Sequence, residues 1–205
     1  MSRFKTSLLG LATTLALFGV APASAASLQV WDGAAWNWSN NGTSHLTGPI
    51  LIGPISSLPC NADFTMTIVN GNASITNVVL SGSTICSAVT TSLPWPAVVS
   101  AIPYMGANPP FTGAPMLTPL LWSVTFTGVR ISVPPPFAVN CPNTTSPAGS
   151  IAGVLDVASQ SGSPPQWPAP NRFVFKQTLG ACVVQTRTNT PPNSLVANPA
   201  LKVVP

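Results

Sequence analysis

Twenty-four prolines run through this chain, nearly all of them after residue 25, and glutamate is absent. Proline removes a backbone donor and its ring clashes with the preceding turn, so a chain punctuated this densely cannot be built on helices. The alternative is visible in the residues themselves, as a period-two alternation of apolar and polar side chains that marks strands.

The strongest alternating segment is Phe64-Thr65-Met66-Thr67-Ile68-Val69, followed by Asn70-Gly71 and then Asn72-Ala73-Ser74-Ile75-Thr76-Asn77. Asn-Gly supplies the positive φ angles of a two-residue type I′ turn, which predicts a hairpin. Its register follows: Val69 faces Asn72, Ile68 faces Ala73, Met66 faces Ile75 and Thr65 faces Thr76, with one apolar face and one of Thr and Ser. A second strand covers Trp122 to Thr127, after which Val129, Ile131 and Val133 continue on the opposite parity. A β-bulge at Gly128 restores the facing, and Pro134-Pro135-Pro136 ends the strand.

Further strands are predicted at Ile151 to Val157, Arg172 to Gln177 and Cys182 to Thr186, with loops such as Ser161-Gly162-Ser163-Pro164-Pro165 between them. Near the start, Leu28 to Trp31 and Ala34 to Trp38 flank Asp32-Gly33, a two-residue hairpin signal. Between Ser92 and Pro119, proline and glycine are too frequent for a long element, and an extended loop with at most one short edge strand is expected around Trp95, Tyr104, Phe111 and Met116. The fold class is therefore all-β: an antiparallel sandwich or flattened barrel of about 8 to 10 short strands with long proline-rich loops.

The first 25 residues read as a secretory signal: Arg3 and Lys5 form the basic region, Leu8 to Val20 the apolar region, and Ala23-Ser24-Ala25 the cleavage site. The mature chain, 26–205, suits a single secreted β domain able to bury about 70% of the surface its unfolded form exposes. No other apolar run approaches the roughly 20 residues of a spanning helix. In an oxidising compartment Cys60, Cys86, Cys141 and Cys182 default to two disulfides. Three connectivities are open, and Cys60–Cys86 with Cys141–Cys182 is preferred, because each pair brackets two adjacent strands. Each bridge closes a loop of a few tens of residues, worth about 3 to 4 kcal/mol in the chain-entropy picture.

Charge is almost absent. Beyond the signal, Arg130, Arg172, Lys176, Arg187 and Lys202 face Asp32, Asp63 and Asp156. Five scattered cations form no patch for displacing counterions from phosphates, so nucleic acid is not a partner. Weak colloidal repulsion instead favours association with apolar surfaces or with copies of the same chain.

Catalytic and metal chemistry find little to use. Asp32 is explained by its turn and Asp63 by the start of a strand, and no pair of carboxylates with divergent environments emerges. The sole histidine, His45, sits in what reads as a polar loop, Asn40 to His45, and no G-x-S-x-G elbow accompanies it. There is no C-x-x-C pair, no acidic calcium loop and no cofactor motif, so neither catalytic residues nor metal ligands nor a cofactor is assigned. The N-x-S/T triplets at Asn37, Asn41, Asn72 and Asn143 are coincidences of a chain rich in those residues, given the bacterial look of the signal. What remains is aromatic. With a two-residue turn at Asp32-Gly33, Trp31, Trp36 and Trp38 share one hairpin face and Leu28 and Val30 the other. Either the tryptophans pack into the sandwich, the favoured reading, or they form an exposed platform that binds apolar surfaces.

Several stretches resemble the bacterial alkane-oxidation protein activators of the PraB type: Ala26-Ser27-Leu28, Pro59-Cys60-Asn61-Ala62-Asp63-Phe64, the hairpin residues Gly71, Ala73, Ile75 and Thr76, Ser81-Gly82 before Cys86, and Leu93-Pro94-Trp95. The likeness is concentrated in residues 59 to 95, and the stretch from Ile102 to Pro119 falls outside it. The resemblance implies an exported, non-enzymatic accessory protein that promotes emulsification or uptake of long-chain hydrocarbon. Two alternatives compete with it: a self-assembling surface or biofilm subunit that uses strand association, and a carbohydrate-active or esterase domain.

Overall fold

A computed structural model of the protein describes residues 26–54, 58–118, 120–158 and 171–205. The predicted signal and its cleavage site, the loop at Ser161 to Pro165, and Trp167 lie outside the described residues. The chain folds as strands: β1 (Ser27–Asp32), β2 (Asn37–Ser39), β3 (Gly42–Gly53), β4 (Leu58–Val69) and β5 (Asn72–Ser81), then β6 (Thr90–Thr91), β7 (Trp95–Pro103), β8 (Leu121–Val129), β9 (Ile131–Val133) and β10 (Val139–Cys141). Five more complete it: β11 (Gly149–Asp156), β12 (Asn171–Leu179), β13 (Cys182–Thr186), β14 (Leu195–Asn198) and β15 (Leu201–Val204). Among the described residues the one α-helix is a single turn, α1 (Thr84–Ser87).

Eight strands form an antiparallel barrel in the order β11-β8-β7-β5-β4-β3-β13-β12, closed by pairing of β12 with β11. β14 lies beyond the end of β13 and fills the rest of the seam between β12 and β3. An eight-stranded barrel is just wide enough for side chains to fill it, and this one is packed with apolar groups. Phe64 meets Trp95 edge to face at 6.0 Å, and Phe126 meets Phe173 in the same way at 5.4 Å. Met66, Ile68, Ile75 and Ile151 are fully buried in the same cluster. On the outer wall of β4 and β5 stand Thr65, Thr67, Ser74 and Thr76, the reverse of the polarity of a lipid-embedded barrel.

The Asn70-Gly71 hairpin is present, with both turn residues at positive φ and with Val69, Ile68 and Met66 opposite Asn72, Ala73 and Ile75. One pair differs from expectation: Thr65 faces Asn77, because Thr76 is an unpaired bulge residue. The bulge reverses the parity of β5, so Ile75 and Leu80 both reach the core. Gly128, at φ +73°, is bypassed in the β8–β11 ladder between Thr127 and Val129, which keeps Phe126 and Val129 both buried. β9 ends at Val133, before the three prolines.

Four further expectations are corrected. Ser92 to Pro119 is not one loop, since its first part is β7, an interior barrel strand between β5 and β8. Asn40 to His45 is not a loop either, because β3 begins at Gly42. The first hairpin turns through Gly33 to Trp36, with Asp32 opposite Asn37, and not through Asp32-Gly33. Cys60 lies inside β4 and Cys86 in α1, so this pair does not bracket its two strands from outside.

The disulfides join Cys60 to Cys86 and Cys141 to Cys182, the pairing preferred from sequence. The first fastens α1 to β4, and the second fastens the small sheet β10-β9-β6 to β13 of the barrel. A third sheet, β15-β1-β2, rests on the tip of the β4–β5 hairpin. There Leu28 N–H donates to the Gly71 carbonyl at 2.9 Å, Gly71 N–H donates to the Asn40 carbonyl at 2.9 Å, and Asn70 N–H donates to Asn41 Oδ1 at 2.9 Å.

Gly71 is therefore both a turn residue and a contact point. Its φ is +79°, and a Cβ at this position would lie 2.9 Å from the Cβ of Ser27. Gly71→Val is expected to lower the unfolding free energy by about 2 kcal/mol, through the strained turn and the displaced β1. Urea denaturation followed by tryptophan fluorescence checks this, and a midpoint equal to wild type would contradict the β4–β5 register.

Candidate functional site

Two apolar features stand outside the barrel core. The first is the tryptophan hairpin. Asp32 Oδ1 accepts from the N–H groups of Ala34 at 2.9 Å and Ala35 at 3.1 Å, which bends the chain sharply after β1. Trp36 follows at φ +52° as the last residue of the turn, next to β2. Pairing of Trp31 with Trp38 puts both on one face, while Leu28 and Val30 on the other face enter the core.

The structure thus brings the three tryptophans together: Trp31 meets Trp38 at 5.3 Å and Trp36 at 6.3 Å, both edge to face. They are not equivalent. Trp31 is buried at 8% exposure, Trp38 is half-buried, and Trp36 is 67% exposed. Lys202 on β15 places its Nζ 5.8 Å from the centre of the Trp38 ring, a cation–π contact that braces the cluster from the neighbouring strand. Rings stacked edge to face hold one another with few rotatable bonds, so the hairpin presents Trp36 on a rigid base.

The second feature is a strap formed by residues 104–118 and 120, lying across the outer wall of the barrel. Tyr104 N–H donates to the Leu121 carbonyl at 2.8 Å, which starts the strap beside β8. The Asn108 side chain then clamps the return limb by donating to the Leu117 carbonyl at 2.8 Å and accepting from Leu117 N–H at 3.0 Å. Leu117 packs with Leu121, Val154 and Val174 into a small second core, with Tyr104 and Phe111 against it. Asp156 pins the far end. Its fully buried Oδ2 accepts from Thr118 N–H at 2.9 Å and from Thr118 Oγ1 at 2.5 Å, and pairs with Arg172 at 2.9 Å.

A groove of about 280 Å³ remains between the strap and the wall, with Tyr104 and Phe111 above and Val154 and Val174 below. A second hollow of about 390 Å³ lies between Tyr104, Met105, Leu120 and Leu121. Met105 lines the second hollow at 87% exposure, and Ile102 and Met116 are exposed nearby in the chain. From sequence this stretch reads as loop, and the site is not visible there. A local sign existed: Phe173-Val174-Phe175 is apolar on both strand parities, as expected of a strand covered on both sides.

Polar chemistry is sparse. His45 projects from β3 with its Nδ1 2.9 Å from Asp63 Oδ1 on β4, both side chains about half exposed. Asp32 serves a turn and Asp156 the strap, so each of the three carboxylates has a structural partner. Among the described residues no cluster of three or more His, Cys, Asp or Glu is found, and no helix is long and apolar enough to cross a membrane.

The family model described as alkane oxidation protein activator PraA/PraB-like matches residues 1–198, a span that includes the strap. Neither the curated proteins nor the solved structures contain a match to the chain.

The pin at Asp156 yields a direct expectation. Asp156→Ala leaves Arg172 and the Thr118 donors without an acceptor, and is expected to cost about 2 to 4 kcal/mol of stability. It should also make the strap susceptible to chymotrypsin at Tyr104 or Phe111 while the barrel resists. Denaturation combined with mass mapping of the first cut checks both, and unchanged stability with an intact strap would contradict the assigned role.

Proposed function

The chain belongs to the alkane oxidation protein activator PraA/PraB-like family, and from that premise we propose that it is an exported, non-enzymatic accessory protein acting where water meets long-chain hydrocarbon. In this reading it promotes emulsification or uptake of the oil and does not oxidise it. The observation that carries the proposal is Trp36, a large apolar ring 67% exposed and held on two further tryptophans at the end of a rigid barrel. Isolated exposed apolar residues are ordinary, but a braced aromatic cluster, accompanied by exposed Ile102 at the end of β7 and Met105 and Met116 in the strap, favours an apolar partner.

Export is supported by the signal-like first 25 residues and by the two disulfides. A non-enzymatic role agrees with the residue inventory. Oxidation of an alkane draws on iron or haem, and this chain has one histidine and four cysteines, all of the latter in disulfides. Assembly by strand addition is the less favoured reading. Among the described residues the outermost strands of the two small sheets are β15, β2, β10 and β6, of 4, 3, 3 and 2 residues, and within the barrel β5 and β7 pair with each other only over Ala73 to Ile75 and Trp95 to Ala97, so the edges available for strand addition are short.

Burying the exposed part of one tryptophan in oil contributes about 3 to 4 kcal/mol of attraction. Mature protein is therefore expected to stabilise hexadecane-in-water emulsions, with a blue shift of tryptophan emission on adding droplets. Trp36→Ser is expected to remove most of the shift and to shorten emulsion lifetime severalfold while the circular dichroism spectrum stays unchanged. Wild-type protein that shows neither effect would overturn the proposal.

A further inference from the structure

The groove beneath the strap has a chemical asymmetry that hydrocarbon contact alone does not use. Val154 and Val174 face each other across the β11–β12 ladder and form its floor, both buried because the strap covers them. Two residues further along the same face of β12, Lys176 lines the groove and is exposed. A two-residue step on a strand is about 7 Å, so the ammonium is carried just beyond the covered apolar floor.

Among the described residues that cation has no counter-charge. All three carboxylates are engaged elsewhere: Asp32 with its turn, Asp63 with His45, and Asp156 with Arg172. Of the other cations from residue 26 onward, Arg172 pairs with Asp156, Arg130 donates to the carbonyls of Asn143 and Ser146, and Lys202 lies over Trp38. Lys176 takes part in no ion pair among the described residues.

We propose that this groove binds a linear alkyl carboxylate, with the hydrocarbon tail between the strap and the Val154–Val174 floor and the carboxylate on the Lys176 ammonium. An apolar cleft with one convergent polar group is the ordinary form of a small-molecule site. A lone ammonium, with no arginine fork or amide nest beside it, matches a monovalent head group and not a phosphate. The ligand is then the terminally oxidised form of the chain that the preceding proposal places at the protein's surface. The inference rests on that reading for its tail and on Lys176 for its head.

The test uses the mature protein in buffer without an oil phase, titrated calorimetrically with dodecanoate below its micelle concentration, dodecan-1-ol and dodecyltrimethylammonium. Dodecanoate is expected to bind one to one and at least tenfold more tightly than dodecanol, with the cationic amphiphile weakest. Lys176→Ala should erase the advantage of dodecanoate over dodecanol, and Lys176→Arg should keep it. Ala152→Trp, at an exposed position lining the groove, should abolish binding of both. Equal affinity for dodecanoate and dodecanol, or a preference that survives Lys176→Ala, would overturn the inference. Because no droplet is present, such a failure is separable from failure of the emulsification assay, which reads Trp36.

Discussion

Closure of the barrel at the β11–β12 ladder is the interaction on which the rest of the molecule depends. Gly153 to Asp156 pair with Phe175 to Arg172 there, joining the two ends of an otherwise open sheet. A glycine is needed at the seam: a Cβ on Gly153 would lie 2.4 Å from the Phe173 ring, which fills that part of the interior. Small opposite large at one level lets the wall close over stacked aromatics. Closure also answers a hazard of composition. With only eight charged side chains from residue 26 onward, repulsion cannot keep molecules apart, and an open sheet would offer long unpaired edges to its neighbours.

Because the barrel is filled, the proposed function is assigned to what is attached outside it, and each attachment has an identifiable fastening. The sheet carrying the tryptophans is seated on the Asn70-Gly71 turn by backbone hydrogen bonds. The sheet β10-β9-β6 is held by Cys141–Cys182, and α1 by Cys60–Cys86. The strap is clamped by Asn108 and pinned by Asp156, whose charge is balanced by Arg172. Removing one member of such a buried pair costs more than the pair itself contributes, because the other is left unsatisfied. The two apolar features therefore sit on a rigid base, and neither depends on a flexible arm.

What could be read from sequence was local. The Asn70-Gly71 hairpin and the Gly128 bulge were legible because each is written in a residue that supplies positive φ. The Thr76 bulge carries no such mark, and one pair of the register was misplaced. β7 was hidden by Pro96 and Pro103, yet it lies inside the sheet between β5 and β8, with Pro96 opposite Ser74 and Pro103 opposite Trp122. The onset of β3 was hidden by its polarity, since His45 and Thr47 lie on its exposed parity. At the first hairpin, Asp32 was assigned to the turn when it is the last paired residue of β1, which makes Trp36 the last residue of the turn. The strap was out of reach, because its partners Val154 and Val174 come from two strands distant in sequence.

The central claim is that the folded barrel presents Trp36 and the strap to an apolar surface without itself unfolding. Hydrogen–deuterium exchange of the mature protein, free and bound to hexadecane droplets, tests it most directly. Added protection is predicted only in residues 33–38 and 102–117, with the amides of β4, β8 and β12 exchanging as slowly on droplets as in buffer. Loss of protection in those barrel strands would show that adsorption is denaturation at the oil surface, and would contradict the claim.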